Sequence, residues 1–249
     1  MDAERVSLNR EEMRALGYAA VDALIEHFES LDATGAGVRG ERPALERALR
    51  EPPPEQPSDP VKLIALLRER VFNTMLHVDH PRFFAFVPSP GNFVGAVADA
   101  LASGFNAFVG TWFSGSGPAE IELITIDWLR QLCGLPETAG GLFVSGGSIA
   151  NLTALAVARH QRLGYTFDDA VAYYSDQTHS AVERAFRILG FAPAQMRRLA
   201  CDGAYRLPSE ALAREVAADG ALGRRPNTES TSTRSRSSIA SSAPWLPAL

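Results

Sequence analysis

Three features of this 249-residue sequence predict an α/β fold with a mainly parallel sheet, preceded by a helical N-terminal segment. From about residue 140 onward, short apolar runs alternate with stretches of helical period, the texture of strand and helix in repeated succession. A glycine-rich turn, Gly140 to Ser148, joins one such apolar run to a helix. Ahead of these, residues 1–78 carry amphipathic helical stripes around proline-rich joints.

In chain order, Asn9 and Glu12 stand at capping-box spacing, and Met13, Leu16, Ala20, Leu24, Phe28 and Leu31 continue one apolar stripe, which predicts an amphipathic helix. Gly35, Gly37 and Gly40 end it, a short helical piece spans Leu45 to Leu49, and Pro52, Pro53, Pro54 and Pro57 predict a stiff connection. Pro60, behind Ser58 and Asp59, opens a helix with Val61, Ile64, Leu67, Val71 and Met75 on one face. Helices of this kind need a surface to wrap around, since an isolated short helix is marginal in water.

The run from His80 to Ser89 is aromatic and proline-bounded and predicts extended chain, followed by a helix carrying Phe93, Val97, Leu101 and Phe105. Thr111 to Gly117 predicts a loop, and Pro118 a helix start, with Ile121, Leu123, Ile124, Trp128 and Leu132 along it and Gly134 at its end. Leu142 to Val144 predicts a buried strand, Ala170 to Tyr174 a second and Met196 to Ala200 a weaker third. Helices are expected from Ile149, over Ser180 to Leu189 with Val182, Ala185 and Leu189 inward, and over Ser209 to Ala218. Ligands of such layers bind at loops leaving the carboxyl ends of strands, where the Gly146–Ser148 turn and His179 both fall.

Composition narrows the function classes. A hydrophobic content of 46% supports a globular, soluble chain with a sizeable core, and a net charge of −5 without a dense Lys/Arg block argues against a nucleic-acid surface. Cys133 and Cys201 lie far apart and match no metal-ligand spacing, so they are expected to be reduced and structural, with no metal site. The acidic start, Met1 to Arg5, does not resemble a signal peptide, and no run approaches the roughly 20 apolar residues of a membrane helix; a cytoplasmic location is the expectation.

The Gly140–Leu152 stretch carries the chemistry. Gly146 and Gly147 lack Cβ atoms, so the backbone can turn sharply and approach a ligand, while the first free amides of the following helix and its dipole favour an anion such as phosphate. The same residues also read as a plain turn with Ser148 as N-cap. His179 reads either as a ligand-facing ring or as a surface histidine capping the next helix.

Four segments together resemble the pyridoxal-phosphate-dependent group II amino-acid decarboxylases: His80-Pro81-Arg82-Phe83-Phe84 with Pro88-Ser89; Glu120-Ile121-Glu122 to Asp127-Trp128-Leu129; Ser145-Gly146-Gly147-Ser148-Ile149-Ala150-Asn151-Leu152; and Ser175-Asp176-Gln177-Thr178-His179-Ser180-Ala181-Val182. Order and spacing agree with that family from about residue 8 to about 226. The resemblance implies the fold-type-I, aspartate-aminotransferase-like large domain, here incomplete, with residues 1–78 as a dimer-wrapping helical segment and 79–226 as the first half of the cofactor domain. It implies pyridoxal 5'-phosphate as cofactor, an amino acid as substrate and a homodimer as the assembly. Gly147 and Ser148 match the pair that binds the cofactor phosphate, His179 the histidine that stacks on the pyridine ring, and Ser89 the substrate-side loop. Ser89 also sits in an ordinary Ser-Pro-Gly turn. Glu120 and Glu122 match a family motif but are read as complementing a helix dipole, and Trp112, Phe113 and Phe84 as core or dimer-contact aromatics.

The family's chemistry also needs a lysine to hold the cofactor aldehyde as a Schiff base and an aspartate beside the pyridine nitrogen. Neither of the family's motifs for them occurs here, and Lys62, the single lysine, lacks the matching context; no catalytic residue is therefore assigned. Residues 227–249 form a Ser/Thr/Arg tract with little to bury, expected to be disordered and to result from a shifted reading frame near residue 226. The resulting expectation is a truncated, by itself inactive portion of a lyase that decarboxylates an L-amino acid, aromatic by resemblance. The alternatives are a pyridoxal enzyme of another reaction type, such as an aldehyde synthase or carbon–carbon lyase, or a non-catalytic remnant that binds a phosphate-bearing ligand or dimerises.

Overall fold

A computed structural model describes residues 7–227. The tail assigned to 227–249 lies outside them apart from Asn227. The chain divides into two compact units, Met1–Ala107 and Phe108–Leu249.

The first unit is helical. Helix α1 (Arg10–Ser30) begins with the expected capping box: the Asn9 side chain accepts the Glu12 amide at 2.9 Å, and the Glu12 carboxylate accepts the Asn9 amide at 2.7 Å. Helix α2 (Arg42–Leu49) has Pro43 in its first turn. Helix α3 (Pro60–Leu66) starts at Pro60, capped by Asp59, whose carboxylate accepts the Val61 amide. It continues as a π-helical turn, Leu67–Val71, and a 3-10 turn, Phe72–Thr74. Helix α4 (Phe93–Phe105) is capped by Asn92 and closed by Asn106 in the left-handed region at φ 49°. None of α1 to α4 contains a buried residue.

The extended chain expected over His80 to Ser89 begins instead as two successive turns, in which the His80 amide donates to the His77 carbonyl and the Phe83 amide to the His80 carbonyl. The reason is the buried His80 ring: Nδ1 accepts the Arg82 amide, so Nε2 carries the proton and donates to the Thr34 carbonyl. Three local bonds and one long-range bond outweigh the extended preference of an aromatic run.

The second unit holds the sheet. Helix α5 (Trp112–Leu132) starts earlier than Pro118, because Thr111 caps a turn at Trp112 where a loop was expected; Gly115, at φ −153° and ψ 47°, then breaks the helical geometry. Pro118 is tolerated because that break already interrupts the hydrogen-bond ladder it cannot join. Helix α6 (Gly147–Leu163) follows the glycine-rich turn. Strand β1 (Ala170–Ser175) leads through α7 (Ser180–Ile188) to β2 (Met196–Leu199), then through α8 (Ser209–Ala221) to β3 (Arg225–Asn227). The sheet order is β2-β1-β3, with both pairings parallel, as expected of an α/β layer. Strand β3 was not foreseen. Asp169 holds it, accepting both Nε and Nη2 of Arg225 at 2.6 Å, while the Arg225 amide donates to the Asp169 carbonyl.

The core gathers Leu163, Ala170, Ala172, Phe186 and Phe191, with Leu155, Phe167, Tyr174, Val182, Leu189 and Met196 against it. Ala181, Ala185 and Phe186 are the buried positions of α7, and Val182 and Leu189 flank them. Tertiary packing therefore favours a face rotated slightly from the one periodicity indicates.

Leu142 to Val144 is the clearest departure from expectation. It pairs with no strand among the described residues, and Leu142 and Phe143 stay 61% and 53% exposed. The Phe143 amide donates to the Glu122 carboxylate at 3.2 Å. An apolar run specifies a tendency to be buried, whereas a strand also requires a neighbouring edge.

Candidate functional site

The turn before α6 leaves the start of the helix open. Gly146 is the N-cap residue at φ 84° and ψ 172°, a region that only glycine adopts readily, and no side chain caps the helix. Ser148 is thus the second helical residue, which sets aside the reading in which it caps. The first intrahelical bonds run from the Ile149 and Ala150 amides to the Gly146 carbonyl. The Gly147 and Ser148 amides have no partner among the described residues and project from the positive end of a 17-residue helix. A Cβ added at Gly147 would meet nothing within 4 Å, so glycine there leaves room for a ligand and relieves no internal clash.

His179 lies at the carboxyl end of β1, as the N-cap of α7: its Nδ1 accepts the Ala181 amide at 3.2 Å. The capping reading is realised, and capping through Nδ1 leaves Nε2 as the proton-bearing nitrogen, with no hydrogen-bond partner among the described residues. The loop before it is tightly bound. Thr178 Oγ1 accepts the Ser175 amide at 3.0 Å and lies 2.9 Å from Ser175 Oγ, and the Thr178 amide donates to the Ser175 carbonyl. Asp176 bridges β1 and β2: its amide donates to the Leu199 carbonyl and its carboxylate accepts the Cys201 amide, a bond that holds its carboxyl below the ordinary carboxylate range. Asp176 and Thr178 were visible in the sequence only as parts of a motif; their role in shaping the loop depends on partners that folding supplies.

Gly147 and Ser148 open α6, His179 caps α7, and these two helices pack together. Ser89 belongs to the first unit, exposed in irregular chain between α3 and α4. Lys62 is exposed on α3. Glu122, read from the sequence as complementing a helix dipole, instead holds the Phe143 amide ahead of the cradle. Phe84 and Phe113, at 90% and 100% exposure, are not core residues of this chain.

A tight polar cluster stands behind the sheet. Asp219 of α8, with its side chain 5% exposed, accepts Arg197 at 2.8 and 3.1 Å, Tyr173 at 2.8 Å and Arg224 at 3.2 Å. Arg197 is the main cause of its depressed carboxyl pKa, and burial together with Asp219 pushes the Tyr173 hydroxyl pKa up.

Comparison with known proteins identifies the family. The profile described as the pyridoxal-dependent decarboxylase conserved domain matches residues 43–231. An aromatic-L-amino-acid decarboxylase of Bacillus atrophaeus is 47% identical over 224 residues, 90% of this chain and 47% of that protein. A phenylacetaldehyde synthase of Petunia hybrida is 29% identical, over 87% of this chain and 45% of its own. Among solved structures, the Oryza sativa TDC with PLP and tryptamine superposes at a TM-score of 0.80 with 28% identity, covering 89% of this chain and 49% of that one. The chain spans about half the length of the relatives it matches. Profile, sequence and fold coincide on one conclusion: this chain belongs to the pyridoxal-dependent decarboxylase family.

Proposed function

We propose that this chain supplies the phosphate cradle and the ring-facing histidine of a pyridoxal-phosphate-dependent lyase that decarboxylates an L-amino acid, aromatic by its similarity to the Bacillus relative. The observation that carries the proposal is the pair of amides at Gly147 and Ser148, unpartnered among the described residues, behind a turn that favours glycine. These amides would hold the phosphate and the capped His179 would lie against the pyridine ring; Ser89 is assigned to the substrate side from its sequence motif alone. When bound, pyridoxal phosphate accepts the electron pair left as the carboxylate departs as CO₂. Residues 1–78 wrap a second copy in a cytoplasmic homodimer, and 79–226 form the first half of the cofactor domain. With Lys62 as the only lysine and no pyridine-side aspartate assigned, the chain alone binds the cofactor without linking to it.

Equilibrium dialysis of the 249-residue chain against pyridoxal phosphate, with unphosphorylated pyridoxal as control, tests the cradle. Gly147→Pro is the informative variant, because proline is tolerated at the first helical position and removes one amide donor. Affinity for the phosphorylated form is expected to fall about tenfold, the value of one charge-assisted hydrogen bond. Equal binding of pyridoxal, or unchanged affinity in the variant, defeats the proposal. Borohydride treatment is expected to leave no adduct on Lys62.

A second reading, an aldehyde synthase on the same scaffold, is favoured by the Petunia relative. Supplying the chain with the lysine-bearing half of a relative and measuring amine against aldehyde separates the two.

A further inference from the structure

In the first unit, three side chains distant in sequence converge on one point. His27 lies near the C-terminal end of α1, and its Nε2 is 2.7 Å from Asp79 Oδ2. His77 packs its ring 5.3 Å, centroid to centroid, from that of His27. One ligand atom from each of the three residues lies within 4.8 Å of the others, and all three side chains are partly buried.

An ion pair accounts for His27 and Asp79 but leaves the His77 ring without a hydrogen-bond partner among the described residues. A cation shared by all three groups satisfies every one of them. We propose that His27, His77 and Asp79 form a binding site for a zinc-class divalent cation, with two imidazole nitrogens and one carboxylate oxygen as protein ligands and water in the fourth position.

Tetrahedral zinc with bonds of about 2.0–2.2 Å places its ligand atoms about 3.3 Å apart. The His27–Asp79 pair therefore opens by roughly 0.6 Å to admit the ion and the widest pair closes, shifts within the reach of side-chain rotation. The donor set suits zinc or cobalt better than calcium or magnesium, which prefer oxygen alone.

The surrounding backbone holds these ligands in place. The His77 amide donates to the Ala36 carbonyl at 3.0 Å, its carbonyl accepts the His80 amide at 3.1 Å, and Val38 bonds to Met75. The two chain segments meet so closely at Gly37, φ 119°, that a Cβ there would stand 2.2 Å from the Met75 carbonyl oxygen. The C-terminal end of α1, where His27 lies, also favours positive charge. Bound metal would tie α1 to the His77–His80 turn, in a unit whose helices have no buried residue of their own to do so.

The test is a cobalt(II) titration of the chelator-treated full chain, followed by its visible d–d absorption, with zinc as competitor. One equivalent is expected to bind, with a tetrahedral nitrogen/oxygen spectrum lacking thiolate charge transfer, and to raise the thermal midpoint. His77→Ala and Asp79→Asn are expected to weaken binding at least about tenfold, while Cys133→Ser/Cys201→Ser leaves it unchanged. Should His77→Ala fail to fold, the wild-type spectrum and His27→Gln decide. Absence of one-equivalent binding, a thiolate spectrum, or undiminished affinity in a folded ligand variant overturns the site.

Discussion

At residue scale, His179 and Gly146 each make a separable demand. His179 caps α7 through Nδ1 and is proposed to face the cofactor ring, two roles that different substitutions divide. Asparagine can cap a helix but offers no aromatic face. His179→Asn is therefore expected to keep the thermal midpoint near wild type while weakening pyridoxal-phosphate binding, whereas His179→Ala loses both, with about 1 kcal/mol of stability. Calorimetry beside dialysis checks this, and equal binding by the asparagine variant counts against the ring-facing role. Gly146→Ala places a Cβ in a region reserved for glycine and is expected to destabilise the turn by about 2 kcal/mol. Denaturant unfolding measures that loss. The need for glycine was legible in the sequence, but which of Gly146 and Gly147 bears the strain was not, since φ depends on how the turn enters the helix.

At the scale of elements, Asp219 joins α8 to β1 and β2 through Tyr173 and Arg197, with Arg224 leading into β3. Its carboxyl is held below the ordinary value near 4, so the native state binds fewer protons there than the unfolded chain in the interval between the two pKa values. Stability from this group is accordingly full above about pH 4 and is lost as pH falls through the folded-state value. Asp219→Asn is expected to destabilise the chain by about 3 kcal/mol at neutral pH, because it leaves Arg197 without its charge partner. It is also expected to give a shallower decline in stability below pH 4. Parallel acid-unfolding curves test both statements; curves of equal steepness would show that the cluster does not contribute to acid sensitivity. Nothing in the local pattern around Asp219 marks it as buried, since its partners come from positions 173, 197 and 224.

At the scale of the whole molecule, apolar side chains such as Phe84, Val87 and Phe113 remain at least 90% exposed, the kind of surface that promotes association. The chain alone is expected to self-associate and to bind a hydrophobic dye, as light scattering coupled to size exclusion and a fluorescence titration will show. A dye-silent monomer would contradict that expectation. Among the described residues no helix is long and apolar enough to cross a membrane, so these surfaces are not read as membrane spans.

The sequence alone determined what acts over a few residues: the capping box at Asn9, the helix starts at Pro60 and Ser180, strand β1, and a glycine turn opening a helix. These rest on hydrogen bonds and side-chain periodicities spanning no more than about four residues, which adjacent letters encode. Tertiary structure decided what depends on distant partners. It left Leu142 to Val144 without a strand partner among the described residues and set Glu122 on the Phe143 amide, added β3 through Asp169 and Arg225, buried Asp219, and brought His27 to His77 and Asp79 across some fifty residues. The physical reason is that a hydrogen bond or an ion pair is satisfied by position in space, and chain topology, absent from any local window, sets which groups meet.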